Sequence, residues 1–114
     1  MITEKTGVSL TQHGGSLICV LHGEIDHHAA RTIRSEIDAE VQRVRPEQLK
    51  LDLSQVSFMD SSGLGLILGR YQTAASVGAS LSLVDPNPGV TRVLSLAGIE
   101  RLIRIERRAG KPHT

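Results

Sequence analysis

One stretch constrains the rest of the chain: residues 51–71, L-D-L-S-Q-V-S-F-M-D-S-S-G-L-G-L-I-L-G-R-Y. It opens on a short apolar run, Leu51-Asp52-Leu53, and passes through polar residues to Phe58-Met59. It then sets Asp60, Ser61 and Ser62 directly before an apolar segment. Leu64, Ile67, Leu68, Tyr71 and Ala75 fall at i, i+3, i+4, i+7 and i+11, which is one face of a helix. The expected course is strand, loop, helix, with two hydroxyls at the helix start.

A serine at a helix start has an ordinary use. Its oxygen accepts a bond from an orphan N–H of the first turn, worth about 1 kcal/mol. Only one residue can be the cap, so the second serine is free. It sits where the helix dipole favours an anion, and a phosphate there would add roughly −1.5 to −2 charges. Spacing alone leaves both readings open: plain capping, or a phosphoacceptor at Ser61 or Ser62.

The flanking chain repeats the strand–helix alternation. Val8-Ser9-Leu10-Thr11 alternates apolar and polar residues, an edge-strand pattern. Gly14-Gly15 marks a hairpin turn. Residues 17–21 are apolar throughout, which predicts a strand buried on both faces. Asp26 is the expected cap of a first helix carrying Ala30, Ile33, Ile37, Val41 and Val44 on its apolar face. Arg31, Arg34, Asp38 and Gln42 take the other side, and Pro46 ends the helix. A third strand is expected over 48–53 and a fourth over 80–84. Asn87-Pro88 starts a third helix with Val90, Val93, Leu94 and Ala97 inward, closed by Gly98. A last strand falls at 102–105.

The order β-β-α-β-α-β-α-β implies one α/β domain with a mostly parallel sheet and an N-terminal antiparallel hairpin. The domain spans residues 1–106, with a disordered tail expected at 107–114. The predicted core includes Ile33, Ile37, Leu51, Leu64, Ile67, Leu68, Val93 and Leu94.

Composition narrows the function classes. The 114 residues hold 13 Lys plus Arg and 12 Asp plus Glu, a net charge of +1, which makes no electrostatic case for nucleic acid or an anionic membrane. Phe58 and Tyr71 are the only aromatic residues, so a base-stacking surface is not expected and the core must be aliphatic. Cys19 stands alone, so no intrachain disulfide forms, which suits a reducing cytoplasm. Residues 1–5 lack the apolar region of a signal peptide, and no apolar run approaches a membrane span.

Other constellations are weaker. Gly63, Gly65 and Gly69 give G-x-G-x-x-x-G, one residue longer than a dinucleotide fingerprint. Gly63 is expected to let the backbone bend, and Gly65 and Gly69 to let the helix approach a neighbour. No P-loop pattern is present. His22, His27 and His28 cluster near Glu24 and Asp26, but no further ligand completes a metal set. A hydrolase triad could be written around Ser61, yet no G-x-S-x-G elbow supports it. Asp52 lacks the acidic pair and lysine of a response-regulator receiver, and is expected to serve as a hydrogen-bonding partner.

Residues 58–71, F-M-D-S-S-G-L-G-L-I-L-G-R-Y, together with Gly23-Glu24-Ile25-Asp26-His27-His28, carry a more specific signal. In this order and spacing they resemble STAS-domain anti-sigma factor antagonists, above all the sporulation type. The likeness covers nearly all of residues 7–106. It implies a regulatory protein rather than an enzyme, phosphorylated at Ser61, the serine following the aspartate. It implies two protein partners: an anti-sigma factor that is also a serine kinase and uses ATP, and a serine phosphatase. No cofactor or metal of the chain's own is expected. Leu66 and Arg70 lie off the expected buried stripe. With Glu24, Asp26, Asp60, Ser62 and Gly63 they are assigned to the partner surface, an acidic patch suited to a basic partner face. The alternatives from other classes are a small hydrolase or nucleotide-binding protein using Ser61 and the glycines, and a STAS module of another signalling assembly. Turnover assays and partner capture separate them.

Overall fold

In a computed structural model of the chain, residues 7–108 are described. They form strands β1 (Val8–His13), β2 (Ser16–Ile25), β3 (Gln48–Met59), β4 (Ser80–Val84) and β5 (Arg104–Glu106). The helices are α1 (His27–Val44), α2 (Ser61–Ser76) and α3 (Pro88–Leu96), with a 3-10 turn at Ile99–Arg101. The sheet runs in sequence order, β1 to β5. Only β1 and β2 are antiparallel; every other neighbouring pair is parallel. The expected alternation and hairpin are both present.

One face of the sheet carries the core. Leu17, Cys19 and Leu21 of β2, Leu49, Leu51 and Leu53 of β3, and Leu81 and Leu83 of β4 form a single cluster. Ile33, Ile37 and Val41 of α1, Leu66 and Ile67 of α2, and Val90 and Leu94 of α3 complete it. All three helices therefore cover the same face. Burying each of these aliphatic side chains contributes about 1.5–3 kcal/mol. The Cys19 thiol lies wholly inside, and desolvation, aided by the charge of Glu40, pushes its pKa up to about 12.

The helix-free face corrects two expectations. Strand β2 is not buried on both sides: Leu17, Cys19 and Leu21 are inside while Ile18 and Val20 are half-buried. Strand β3 does not stop at Leu53 but continues to Met59, paired with β2 as far as Ile25. Its polar residues Ser54, Gln55 and Ser57 suggested a loop because one side of this strand has no helix over it. Asp52, on that side, is buried and bonds both the backbone N–H and the hydroxyl of Ser54, at 2.9 and 2.7 Å.

Two residues of the expected tail are engaged. Arg107 donates to the Pro86 carbonyl at 2.6 Å, and Arg108 pairs with Asp52 and Asp85. Arg107 is held by backbone and hydroxyl oxygens, and Arg108 by the carboxylates of Asp52 in β3 and Asp85 just after β4. Residues 109–114 of that tail lie outside the described residues, as do residues 1–6.

Helix α2 is rotated by one residue from its expected seat. Gly63, Leu66, Ile67, Arg70 and Ala74 face inward. Leu64 and Tyr71 are only partly buried, Ala75 is exposed, and Leu68 is 40% exposed. Apolar residues at 64, 66, 67 and 68 surround the first turns, so hydropathy does not choose a face. Contacts with α1 and Met59 do. In α3, Val90 and Leu94 are buried, while Val93 is half-buried and Ala97 exposed, because that helix touches the core along a narrow stripe.

Candidate functional site

Parallel pairing brings two turns together. Glu24 lies opposite Phe58, and Ile25 opposite Met59, at the ends of β2 and β3. The residue after each strand is an aspartate, and each aspartate caps the following helix. Asp26 Oδ1 accepts from the Ala29 N–H at 2.9 Å, and Asp60 Oδ1 accepts from the Ser62 N–H at 2.8 Å. Aspartate suits this role because its oxygen satisfies an orphan donor and its charge opposes the positive end of the helix dipole. At β2 the approach needs a distortion. The pairing register shifts on either side of Gly23, whose φ of +79° is a conformation L side chains rarely adopt.

The cap assignment changes the reading of the serines. Neither serine is the cap of α2; Asp60 is. Ser61 occupies the first helical position and is exposed, and Ser62 is half-buried. Among the described residues, neither hydroxyl makes a hydrogen bond. Gly63 sits directly over Met59, and a Cβ on it would lie 2.3 Å from Met59 Cγ. The glycine is needed for close approach rather than for a bend.

The expected partner-surface residues divide. Glu24, Asp26, Asp60 and Ser61 are exposed around the paired turns, with Ser62 beside them. Gly63, Leu66 and Arg70 are buried, the last two at 4% exposure each, so they form no outward surface. Arg70 reaches under α1, where its Nε lies 3.0 Å from Asp38 Oδ1. The two atoms are in ion-pair contact but misaligned for a hydrogen bond, which leaves Arg70 Nε and Nη1 and Asp38 Oδ1 without one. Burial lowers the pKa of the Arg70 guanidinium. Asp38 opposes that shift, and the nearby charge of Arg34 adds to it.

Sequence reasoning missed the contribution of α1. It placed Arg31 and Arg34 opposite the apolar face, where both are indeed exposed, but did not see that His27, Ala30, Arg31 and Arg34 form one wall of a groove there. Ser62, Gly65 and Leu66 of α2 form the other. The charge beside the serines is thus mixed: acidic at the strand ends, basic along α1. The spacing of His27, Arg31 and Arg34 marks a common helix side. Only the packing of α1 on α2 directs that side to the serine turn. Among the described residues, no three His, Cys, Asp or Glu side chains converge in a way that could hold a metal ion. No helix of the described residues is long and apolar enough to cross a membrane.

Known proteins of similar sequence and fold identify the domain. A family model for the STAS domain matches residues 7–111. An anti-sigma F factor antagonist of Paenibacillus polymyxa is 40% identical over 98 residues, covering 86% of this chain and 84% of that protein. The anti-sigma factor antagonist SpoIIAA in its unphosphorylated form superposes with a TM-score of 0.78. It has 29% identity over 90% of this chain and 89% of that one. The Bacillus cell fate determinant SpoIIAA in its phosphorylated form gives 0.71, with 28% identity over 90% and 92%.

Proposed function

Because this chain belongs to the STAS-domain family of anti-sigma factor antagonists, we propose that its unphosphorylated form binds an anti-sigma factor that is also a serine kinase, and so frees a sigma factor. The switch is of the sporulation type and operates in the cytoplasm. The kinase uses ATP: Ser61 Oγ bonds to the γ-phosphorus, the bond to ADP breaks, and the hydroxyl proton leaves to a base of the kinase. A serine phosphatase reverses the change by hydrolysis. The chain does no chemistry of its own and carries no cofactor.

The observation that carries this reading is the capping of α2 by Asp60, which leaves the exposed Ser61 hydroxyl with no structural duty. A phosphate there stands at a helix N-terminus, a favourable place for an anion. It also adds charge next to Asp60, in the middle of the paired turns, and so repels acidic partner groups and costs desolvation at a docked surface.

The test is incubation with ATP and the anti-sigma F factor of Paenibacillus polymyxa, followed by intact-protein mass spectrometry. One phosphate is expected on the wild type and on Ser62→Ala, and none on Ser61→Ala, which should still bind the kinase. Labelling that persists in Ser61→Ala would move the phosphoacceptor elsewhere.

A further inference from the structure

The groove between α1 and α2 holds uncompensated positive charge. It has a volume of about 160 Å³, and Arg31, Arg34 and His27 line it opposite Ser62, Gly65 and Leu66. Several cations elsewhere have carboxylate partners: Arg43 has Glu40, Lys50 has Glu106, Arg70 has Asp38, and Arg108 has Asp52 and Asp85. Among the described residues, Arg31 and Arg34 have no carboxylate partner. The natural partner for Arg34 is Asp38, four residues along the same helix. Arg70 has taken it from below.

No acidic residue stands in the first turn of α1. His27 and His28 follow the cap Asp26 there, with Arg31 one turn later. Arg31 and Arg34 lie beyond that first turn, which Asp26 caps, and among the described residues no ion pair within the fold accounts for them. Gly65 is a second such case. It is exposed, and a Cβ built on it would meet nothing within 4 Å. Neither backbone conformation nor internal packing calls for a glycine there, and glycine weakens a helix interior relative to alanine. Its effect is to keep the groove floor open.

We propose that this groove docks an acidic segment of the anti-sigma factor, whose carboxylates pair with Arg31 and Arg34 while the segment lies over Gly65. The inference rests on the antagonist reading above and adds a partner contact opposite in sign to the acidic turns. Arginine presents a planar fork that a carboxylate meets with two parallel bonds. The contact also accounts for the leverage of a phosphate. Ser62 lines the groove and Ser61 is its neighbour, so a dianion at Ser61 stands where the partner must bring its carboxylates and competes with them for the same arginines.

The experiment measures binding of the Paenibacillus polymyxa anti-sigma F factor to wild type, Arg31→Glu, Arg34→Glu, Arg31→Lys and Gly65→Phe, at low and physiological salt. Arg101→Glu, on the 3-10 turn outside the groove, is the control. Each glutamate variant should bind about tenfold more weakly at low salt, and the difference should shrink as salt screens the pairs. Arg31→Lys should bind between wild type and Arg31→Glu, because it keeps the charge and loses the fork. Gly65→Phe should lose binding with an unchanged thermal midpoint, since its side chain has open space to occupy. Wild-type binding that neither glutamate variant nor Gly65→Phe reduces would overturn the groove and leave the antagonist reading intact. A wild type that neither binds the factor nor is labelled by it would overturn that reading, and the groove with it.

Discussion

The turns that follow β2 and β3 share a frame and differ in what they present. Each leaves a parallel strand beside the other, each begins with an aspartate that caps its helix, and each helix buries an isoleucine seven residues beyond the cap, Ile33 in α1 and Ile67 in α2. After Asp26 come His27, His28 and Ala29; after Asp60 come Ser61, Ser62 and Gly63. With the aspartate satisfying the first orphan donor, the next two positions are released from structural duty. One turn uses them for basic side chains, the other for hydroxyls. The third position is not released in α2, because Met59 lies directly beneath it.

The shared frame is most exposed to failure at the two isoleucines. Truncating Ile33 or Ile67 to alanine should each cost about 2–5 kcal/mol, since both are fully buried among side chains that cannot close the cavity. Leu68→Ala, on the solvent side of α2, should cost less than about 1 kcal/mol. Urea unfolding midpoints at constant slope make the comparison. A Leu68 loss equal to that of Ile67 would mean that α2 sits in the register its hydropathy suggested.

Next in size is the place where the turns diverge. Gly63→Ala should destabilise by about 1–3 kcal/mol, because its methyl collides with Met59 Cγ. The corresponding change in α1, Ala29→Gly, should cost only about 1 kcal/mol, through helix propensity. Shortening Met59 to alanine in the Gly63→Ala background should recover part of the loss. A double-mutant cycle with no coupling would remove the steric explanation.

The caps should be equivalent. Asp26→Ala and Asp60→Ala should each cost about 1 kcal/mol, and Asn at either position should recover most of it. If Asp60→Ala alone were neutral, Ser61 or Ser62 would have taken over the cap, and the claim that both hydroxyls are free would fail.

The smallest effect on stability is expected at Glu24. Its exposed side chain predicts that Glu24→Lys changes stability by no more than about 0.5 kcal/mol. It should instead slow association with the anti-sigma factor at low salt, and the slowing should fade at physiological ionic strength, where screening acts over about 8 Å. Equal association rates at low salt would take Glu24 off the partner surface and leave the α1–α2 groove and the serine turn as the contact.

Local chemistry carried much of this in the sequence. Asp26 before an amphipathic run, Asn87 before Pro88, and glycines after helices mark element ends through short-range hydrogen bonds and backbone sterics. Those forces act over a few residues, so the residues themselves reveal them. Asn87 does cap α3, accepting from the Val90 N–H at 2.8 Å. The alternation of strands and helices was legible for the same reason, and with it the adjacency of the Glu24 and Asp60 turns. The same locality failed at β3. Ser54, Gln55 and Ser57 look like a loop unless it is known that no helix covers that side of the strand.

What the sequence determined by itself is the order of elements, the aliphatic core and the serine turn at the head of α2. Each follows from period, capping and composition, which are properties of neighbouring residues. The tertiary structure alone decided which side of α2 faces inward, that Arg70 is buried against Asp38, and that Arg31 and Arg34 line a groove beside Ser62. These depend on contacts between α1 and α2, more than thirty positions apart for Asp38 and Arg70. An arginine followed by polar residues has no local sign that a carboxylate on another helix will draw it inside. A helix with leucines on every side has no hydropathy preference strong enough to choose its own rotation. Packing against α1 and Met59 makes that choice.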